Sequence, residues 1–255
     1  MSHTKLIADC CRNHLGNNEI IQKMIHEAAS SGADYVKFQI YNSRRLNKRW
    51  SNYSDKICEL MRHQLSDFQI SEIVNTCEKL KVIPMFTIFS LDRLDFLKVV
   101  FSNHEVALKI ASPDMSNYTL IDNIIENFPQ NRLFISTGMH TPAEIKDAKE
   151  TYNIECPIWL YCVSQYPALF ADIDFNVMQF FDGFSDHTMG IAAAQMAIDE
   201  GMEYIEKHFT LSRNLPGTDQ HISIEPHELK LLRRYADEKY IQNLYKKRWN
   251  AELIP

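Results

Sequence analysis

Two lysines and two histidines carry the sharpest chemical signals in this sequence. Lys37 sits in Tyr35-Val36-Lys37-Phe38-Gln39 and Lys109 in Leu108-Lys109-Ile110, apolar runs of the kind that form buried strands. Side chains alternate across a strand, so Lys37 shares a face with Gln39, and Lys109 with the small residues Ala107 and Ala111. If Val36 and Phe38 pack toward helices, Lys37 and Gln39 point into an interior. A buried ammonium without a counter-charge is costly, so an inward lysine implies an anionic ligand or a carboxylate partner. The bland alternative is that each lysine snorkels outward to solvent. Two inward lysines beside Ser112 and Ser136 suggest a site for phosphate or carboxylate.

The histidines suggest a metal. His187 follows Asp186 at the end of one apolar run, and His208 follows Glu206 with one residue between. Period-two alternation places Glu206 and His208 on one face. Neutral imidazoles from adjacent strands can hold a divalent cation, with water and substrate completing its shell. Such an open set suits Mn²⁺ or Mg²⁺ better than a closed structural zinc site. Two histidines alone are a weak motif, and satisfied structural histidines are common.

Something must bring these residues together. Short apolar runs alternate with amphipathic stretches along nearly the whole chain, the pattern of parallel βα units. Strands are predicted over 5–9, 35–39, 83–87, 107–111, 133–136, 158–162, 183–185 and 204–208. Helices are predicted over 20–31, from a Ser66–Asp67 cap to Lys81, and over 91–100 and 118–127. Others follow the Thr141 cap with Pro142 in the first turn, cover 191–200, and run from Pro226 through Ala236. A looser segment through 177–181 completes eight of each if it holds a helix. No glycine-rich phosphate loop follows the first strand, which argues against a doubly wound sheet. The expected architecture is a (β/α)8 TIM barrel over residues 1–239, followed by a tail over 240–255. Barrel enzymes place reacting groups at the C-terminal strand ends. Here those ends carry Asp9, Gln39, Thr87, Ser112, Ser136, Ser164, His187 and His208.

Size and charge agree. The chain has 255 residues, and a barrel of this kind needs about 250. A net charge of −6, from 27 basic and 33 acidic residues, argues against a general nucleic-acid binder. No run approaches a membrane span, and Met1-Ser2-His3-Thr4 is no signal peptide. Cys10, Cys11, Cys58, Cys77, Cys156 and Cys162 lack paired spacing, so free thiols in a reducing cytoplasm are expected. A thiol nucleophile at Cys10 or Cys162 is a second reading.

The sequence resembles the sialic acid synthase family from about Ile7 to Leu229. Ala8-Asp9-Cys10-Cys11-Arg12-Asn13-His14-Leu15-Gly16 resembles the opening AEIGxNHxG. Val36-Lys37-Phe38-Gln39 matches VKFQ, Lys109-Ile110-Ala111-Ser112 matches KIAS, and Ser136-Thr137-Gly138-Met139 matches STGM. Ser185-Asp186-His187-Thr188 and Ile205-Glu206-Lys207-His208-Phe209-Thr210 match SDHT and IEKHFT, and Leu215-Pro216-Gly217 with Asp219 matches LPGxD. Each motif is weak, but the ordered set is specific. The resemblance implies condensation of phosphoenolpyruvate with an N-acetylated hexosamine, with Mn²⁺ or Mg²⁺, in a homodimer. It implies that His187 and His208 hold the metal. Lys37, Thr87, Lys109, Ser112, Ser136 and Ser164 would hold phosphoenolpyruvate. Asp9, Gln39, Asp114, Tyr166 and Asp219 would face the sugar, with Asp186 also among the substrate contacts. Glu206 or Asp9 is the candidate base.

The chain departs from the pattern in several places. Asp9 replaces a glutamate, Cys10-Cys11-Arg12 replaces small and apolar residues, and Thr87-Ile88-Phe89-Ser90 lacks the usual proline. The sequence stops shortly after the barrel, so the family's C-terminal antifreeze-like domain is expected to be absent. The polar loop 42–58, with Arg44, Arg45, Lys48, Arg49 and Trp50, is the expected substitute lid. The tail, with Tyr245 and Trp249, is a second candidate and also a candidate dimer contact. A metal-dependent pyruvate aldolase and a non-catalytic binding barrel are the competing functions. The aldolase leaves the phosphate-sized donor set idle, and the silent barrel leaves the polar ring unexplained.

Overall fold

Eight runs rich in β-branched and aromatic residues become strands, and the strands close on themselves. A computed structural model of the chain describes residues 3–46, 53–153 and 157–252. Among those residues the strands are β1 (Lys5–Asp9), β2 (Tyr35–Ile40), β3 (Ile83–Ile88), β4 (Ala107–Ile110), β5 (Arg132–Ser136), β6 (Ile158–Cys162), β7 (Gly183–Asp186) and β8 (Tyr204–His208). Each pairs in parallel with the next, and β8 returns to β1. The register sets Asp9 level with both Lys37 and His208. The fold is the (β/α)8 barrel that the alternation predicts.

The helices are α1 (Asn18–Ser30), α2 (Tyr53–His63), α3 (Asp67–Leu80), α4 (Leu94–Phe101), α5 (Tyr118–Asn127), α6 (Pro142–Thr151), α7 (Phe175–Met178), α8 (Ala192–Asp199) and α9 (Pro226–Glu252). Their starts follow capping chemistry. Ser66 and Gln69 form a reciprocal capping box, as do Thr141 and Glu144, with Pro142 in the first turn of α6. Asn17 accepts hydrogen bonds from the Glu19 and Ile20 amides at 2.8 and 3.2 Å, so α1 starts two residues earlier than its apolar pattern suggests. Lys81 caps α3 in the left-handed region rather than continuing it.

Two segments differ from expectation. The stretch read as a polar loop over 42–58 gives way to α2 at Tyr53. Leu60 of that helix is buried with Tyr41 and Leu46, and the Tyr41 hydroxyl donates to the Leu60 carbonyl at 3.0 Å. The final helix does not stop at Ala236 but continues across residue 240 to Glu252. Its buried stripe of Leu229, Leu232 and Ala236 ends there, and polar pairing extends it: Lys239 bonds Asp199 at 2.6 Å. No proline or glycine interrupts 237–252.

Alternation sorts each strand into two faces. Leu6, Ala8, Val36, Phe38, Phe86, Leu108, Ile135 and Ile205 pack outward against the helices. Ile7, Tyr35, Met85, Ala107, Phe134 and Leu160 fill the lower interior as a separate apolar plug. Burying one such large side chain contributes about 1.5–3 kcal/mol. The plug fills the barrel below its upper end. The described cysteines are free thiols, and Cys156 lies outside the described residues. Among the described residues, no helix is long and apolar enough to cross a membrane.

Candidate active site

Above the apolar plug, the next inward positions are charged. Lys37 and Asp9 meet at 2.9 Å, and the Lys37 ammonium lies 2.7 Å from Glu206. Glu206 also receives Lys109, at 2.8 and 3.1 Å to its two oxygens, and a 2.7 Å hydrogen bond from the Ser185 hydroxyl. All four charged groups are almost fully buried. Their formal charges cancel, which is what permits burial at this depth.

Glu206 therefore has a different part from the one expected of it. Burial alone would raise its carboxyl, but Lys109 and Lys37 hold it well below the usual carboxylate range. A carboxylate held that low accepts a proton poorly, so the base reading of Glu206 does not fit its surroundings. Burial works against the charge of Lys37 too, yet Asp9 and Glu206 hold that ammonium above the ordinary lysine range. Lys109 shifts the other way, because burial outweighs Glu206. The lysines are not without counter-charge: the carboxylate comes from β8, across the barrel.

The cavity above this floor measures about 630 Å³. Its wall includes Gln39, Thr87, Ser112, Ser136, Ser164, Tyr166, His187, His208 and Asp219 together with the charged floor. The Ser136 hydroxyl is buried and has no protein partner, a donor left for a ligand. Ser112 accepts from the Gly138 amide at 3.2 Å. A side chain at Gly138 would collide with Ser164 and the Cys162 carbonyl, at 2.5 and 2.6 Å, so this close approach of the β5 and β6 loops requires glycine. Asp219 reaches the rim on the loop after β8, where Arg12 approaches it at 3.8 Å and bonds Thr218 at 3.2 Å.

The imidazoles of His187 and His208 sit side by side, 5.2 Å between ring centres, and the Tyr166 ring lies 4.2 Å from His187. Nδ1 of His187 donates to the Val163 carbonyl at 2.8 Å, which leaves Nε2 as a lone-pair donor. His187 also lies 3.7 Å from the Cys162 thiol; burial opposes its charge, but that pairing raises its affinity for a proton. Burial lowers His208 to about 4, so it is neutral near pH 7, and its buried Nδ1 has no hydrogen-bond partner. Nε2 of His208 lies 3.8 Å from the Asp9 carboxylate, and with the His187 ring next to it these donors fit a divalent cation.

Two expected contacts are not part of this cavity. Asp186 points outward from β7, where it pairs with Lys207 at 3.1 Å and accepts from the Thr188 amide at 2.8 Å. The same alternation that sends Glu206 inward sends Asp186 out and Ser185 in; applied to β7, it would have found Ser185. Asp114 closes a short 3₁₀ turn, Ser112–Asp114, and does not line the cavity, whereas Ser112, Pro113 and Ser116 do. From the expected lid, Arg45 pairs with Asp92, and neither Arg44 nor Arg45 lines the cavity. Lys48, Arg49 and Trp50 lie outside the described residues, as does the Trp249 side chain. Cys11 and Arg12 line the cavity although the residue pattern gave them no part in it, and Cys162, the alternative thiol nucleophile, lines it too.

The chain is similar to an N,N'-diacetyllegionaminic acid synthase of Campylobacter jejuni, at 30% identity over 91% of this chain and 75% of that protein. It is 28% identical to a pseudaminic acid synthase of the same species, over 89% of this chain and 71% of the other. A solved N-acetylneuraminic acid synthetase from Leptospira borgpetersenii superposes with a TM-score of 0.84 at 30% identity, covering 93% of this chain and 84% of that one. The NeuB family profile matches residues 24–243, the greater part of the barrel, and the chain belongs to the NeuB family.

Proposed function

We propose that this barrel joins phosphoenolpyruvate to an aldose of the N-acetylhexosamine type, giving a nonulosonic-type 2-keto-3-deoxy acid and inorganic phosphate. The observation that carries the reading is the pair of buried lysines held by Glu206 beneath an open polar cavity. Lys37 and Lys109 present fixed positive charge, and Thr87, Ser112, Ser136 and Ser164 surround it with hydroxyl donors. This set matches a ligand that bears both carboxylate and phosphate. Gln39, Tyr166, Asp219 and Asp9 line the same cavity and face the sugar.

In the reaction the enol π pair of phosphoenolpyruvate forms the new carbon–carbon bond to the aldehyde carbon, whose oxygen takes a proton. Water adds to the resulting cationic carbon and loses a proton. Cleavage of the carbon–oxygen bond then releases phosphate and leaves the keto group. Asp9, paired with Lys37 and level with His208, is a carboxylate that lines the cavity, and it takes the proton of the attacking water. Glu206 acts through the lysines, as a positioning residue. His187 and His208 would hold a divalent cation, which when bound would supply Lewis-acid polarisation of the aldehyde.

The test is phosphate release from phosphoenolpyruvate against a panel of N-acetylated hexosamines, hexoses and pentoses, before and after chelation. The reading expects release only with both substrates, lost on chelation and in His187→Ala and His208→Ala. Product formation from pyruvate in place of phosphoenolpyruvate would instead establish an aldolase. Full activity in a chelated double histidine variant would remove the metal from the scheme.

A further inference from the structure

Two residues past the end of β1, Cys11 has a backbone and a side chain that both call for explanation. Cys11 adopts φ of +44°, the left-handed region that costs a side-chain-bearing residue strain. It stands where the family opening has glycine. Its amide donates to Oδ1 of Asp9 at 3.0 Å, which anchors the turn. The side chain that replaces the glycine hydrogen enters the cavity, and Cys11 is 1% exposed.

There it completes a set. The Cys11 sulfur, an Asp9 carboxylate oxygen and a ring nitrogen of His208 all lie within 4.8 Å of one another. All three residues are buried, and Nε2 of His208 lies 3.8 Å from the Asp9 carboxylate. His187 stands beside them across a ring-centre distance of 5.2 Å. Sulfur, oxygen and nitrogen donors at one point select differently from oxygen and nitrogen alone: thiolate favours Zn²⁺, Fe²⁺ and Co²⁺ over Mn²⁺ and Mg²⁺.

We infer that Cys11 is a metal ligand in this chain, joining His208, Asp9 and His187, and that the centre prefers a thiophilic divalent cation to Mn²⁺ or Mg²⁺. The inference rests on the metal site proposed above. On binding, the sulfur gives its proton to solvent and donates an electron pair to the cation. The shortened residue 9 and the added thiol at residue 11 then belong together. One carboxylate has retreated by a methylene, and a sulfur donor has entered from the next turn of the same loop.

Cobalt(II) added to the metal-free protein under anaerobic conditions reads this directly. Thiolate ligation gives an intense near-ultraviolet sulfur-to-cobalt charge-transfer band, independent of any activity. The band is expected in the parent and absent in Cys11→Gly, a variant that relieves the positive φ and so keeps the fold, as circular dichroism would verify. Losing an outer partner of a metal ligand costs about 10–100-fold in affinity, so losing the ligand itself should weaken cobalt binding by at least about tenfold. Manganese affinity should change less. A band that persists in Cys11→Gly, or stoichiometric cobalt binding by the parent with no band, overturns the inference and leaves the histidine site standing. Failure of the parent to bind cobalt by calorimetry overturns both the inference and the metal reading beneath it, while phosphate release tests the condensation separately.

Discussion

Two buried ionic groups share the end of β8, one on each face. Inside, Glu206 gathers Lys37 and Lys109 beneath the cavity; outside, Lys207 binds Asp186 and donates to the Thr188 carbonyl at 2.6 Å, sealed between barrel and helices. With Asp9 counted in the inner group, both are neutral in sum and equally hidden from water. Only the first has an open side. Buried charge at a strand end is therefore not in itself a sign of function; the face it occupies decides. The inner group trades stability for a preorganised charge that a ligand can meet. The outer pair fixes the loop that carries His187 and the strand that carries His208.

The sharpest way to break this distinction is Glu206→Gln. It preserves shape but leaves two ammonium groups close together with only Asp9 between them, so the lysines should shift. A misplacement of about 1 Å can cost on the order of 10²-fold, and a loss of at least about that size in kcat/KM for phosphate release is expected. A variant within threefold of the parent would show that Glu206 does not position the lysines. Lys109→Met should act more narrowly. Charge-assisted hydrogen bonds are worth roughly 1.5–3 kcal/mol, so phosphoenolpyruvate binding by calorimetry should weaken about tenfold to a hundredfold. An unchanged Kd in both Lys37→Met and Lys109→Met would place the anion elsewhere.

The outer pair should answer in stability rather than chemistry. Lys207→Met strands the Asp186 charge and should cost about 3–5 kcal/mol in urea denaturation, as breaking a buried pair does. Adding Asp186→Asn removes that charge while keeping an acceptor for the Thr188 amide, and should restore most of the loss. Folded protein of both variants should keep kcat/KM within a few-fold. A collapse of activity in the restored double variant would move this pair into the machinery.

The smallest effect is a pH dependence. His208 is lowered from 6.5 to about 4 in the fold, so the unfolded chain binds its proton first. Its contribution to stability is present above pH 6.5 and is lost as pH falls through 4, with a slope of at most about 1.4 kcal/mol per pH unit. Chelated protein should show a flatter acid branch in Tm after His208→Gln. An identical branch would show that His208 is already solvated.

Much of this could be read from residue order alone. Alternation within a strand needs no tertiary information, because successive side chains leave opposite faces. It placed Lys37, Gln39, Lys109, Glu206 and His208 on shared interior faces. Capping residues fixed the starts of α3 and α6 for the same local reason. What residue order could not show was partnership. Lys109 and Glu206 are 97 positions apart, and only closure of the barrel brings β8 opposite β4. That closure turned an apparent pair of unmatched cations into a neutral group and engaged Glu206 with both lysines. The outward face of Asp186 was within reach of the alternation rule, whereas the place of Asp114 off the cavity wall and the run of α9 beyond its apolar stripe, through polar partners on α8, rest on tertiary contacts. Local periodicity determines which face a side chain leaves from, whereas the energy of a buried charge depends on what the rest of the chain brings to meet it.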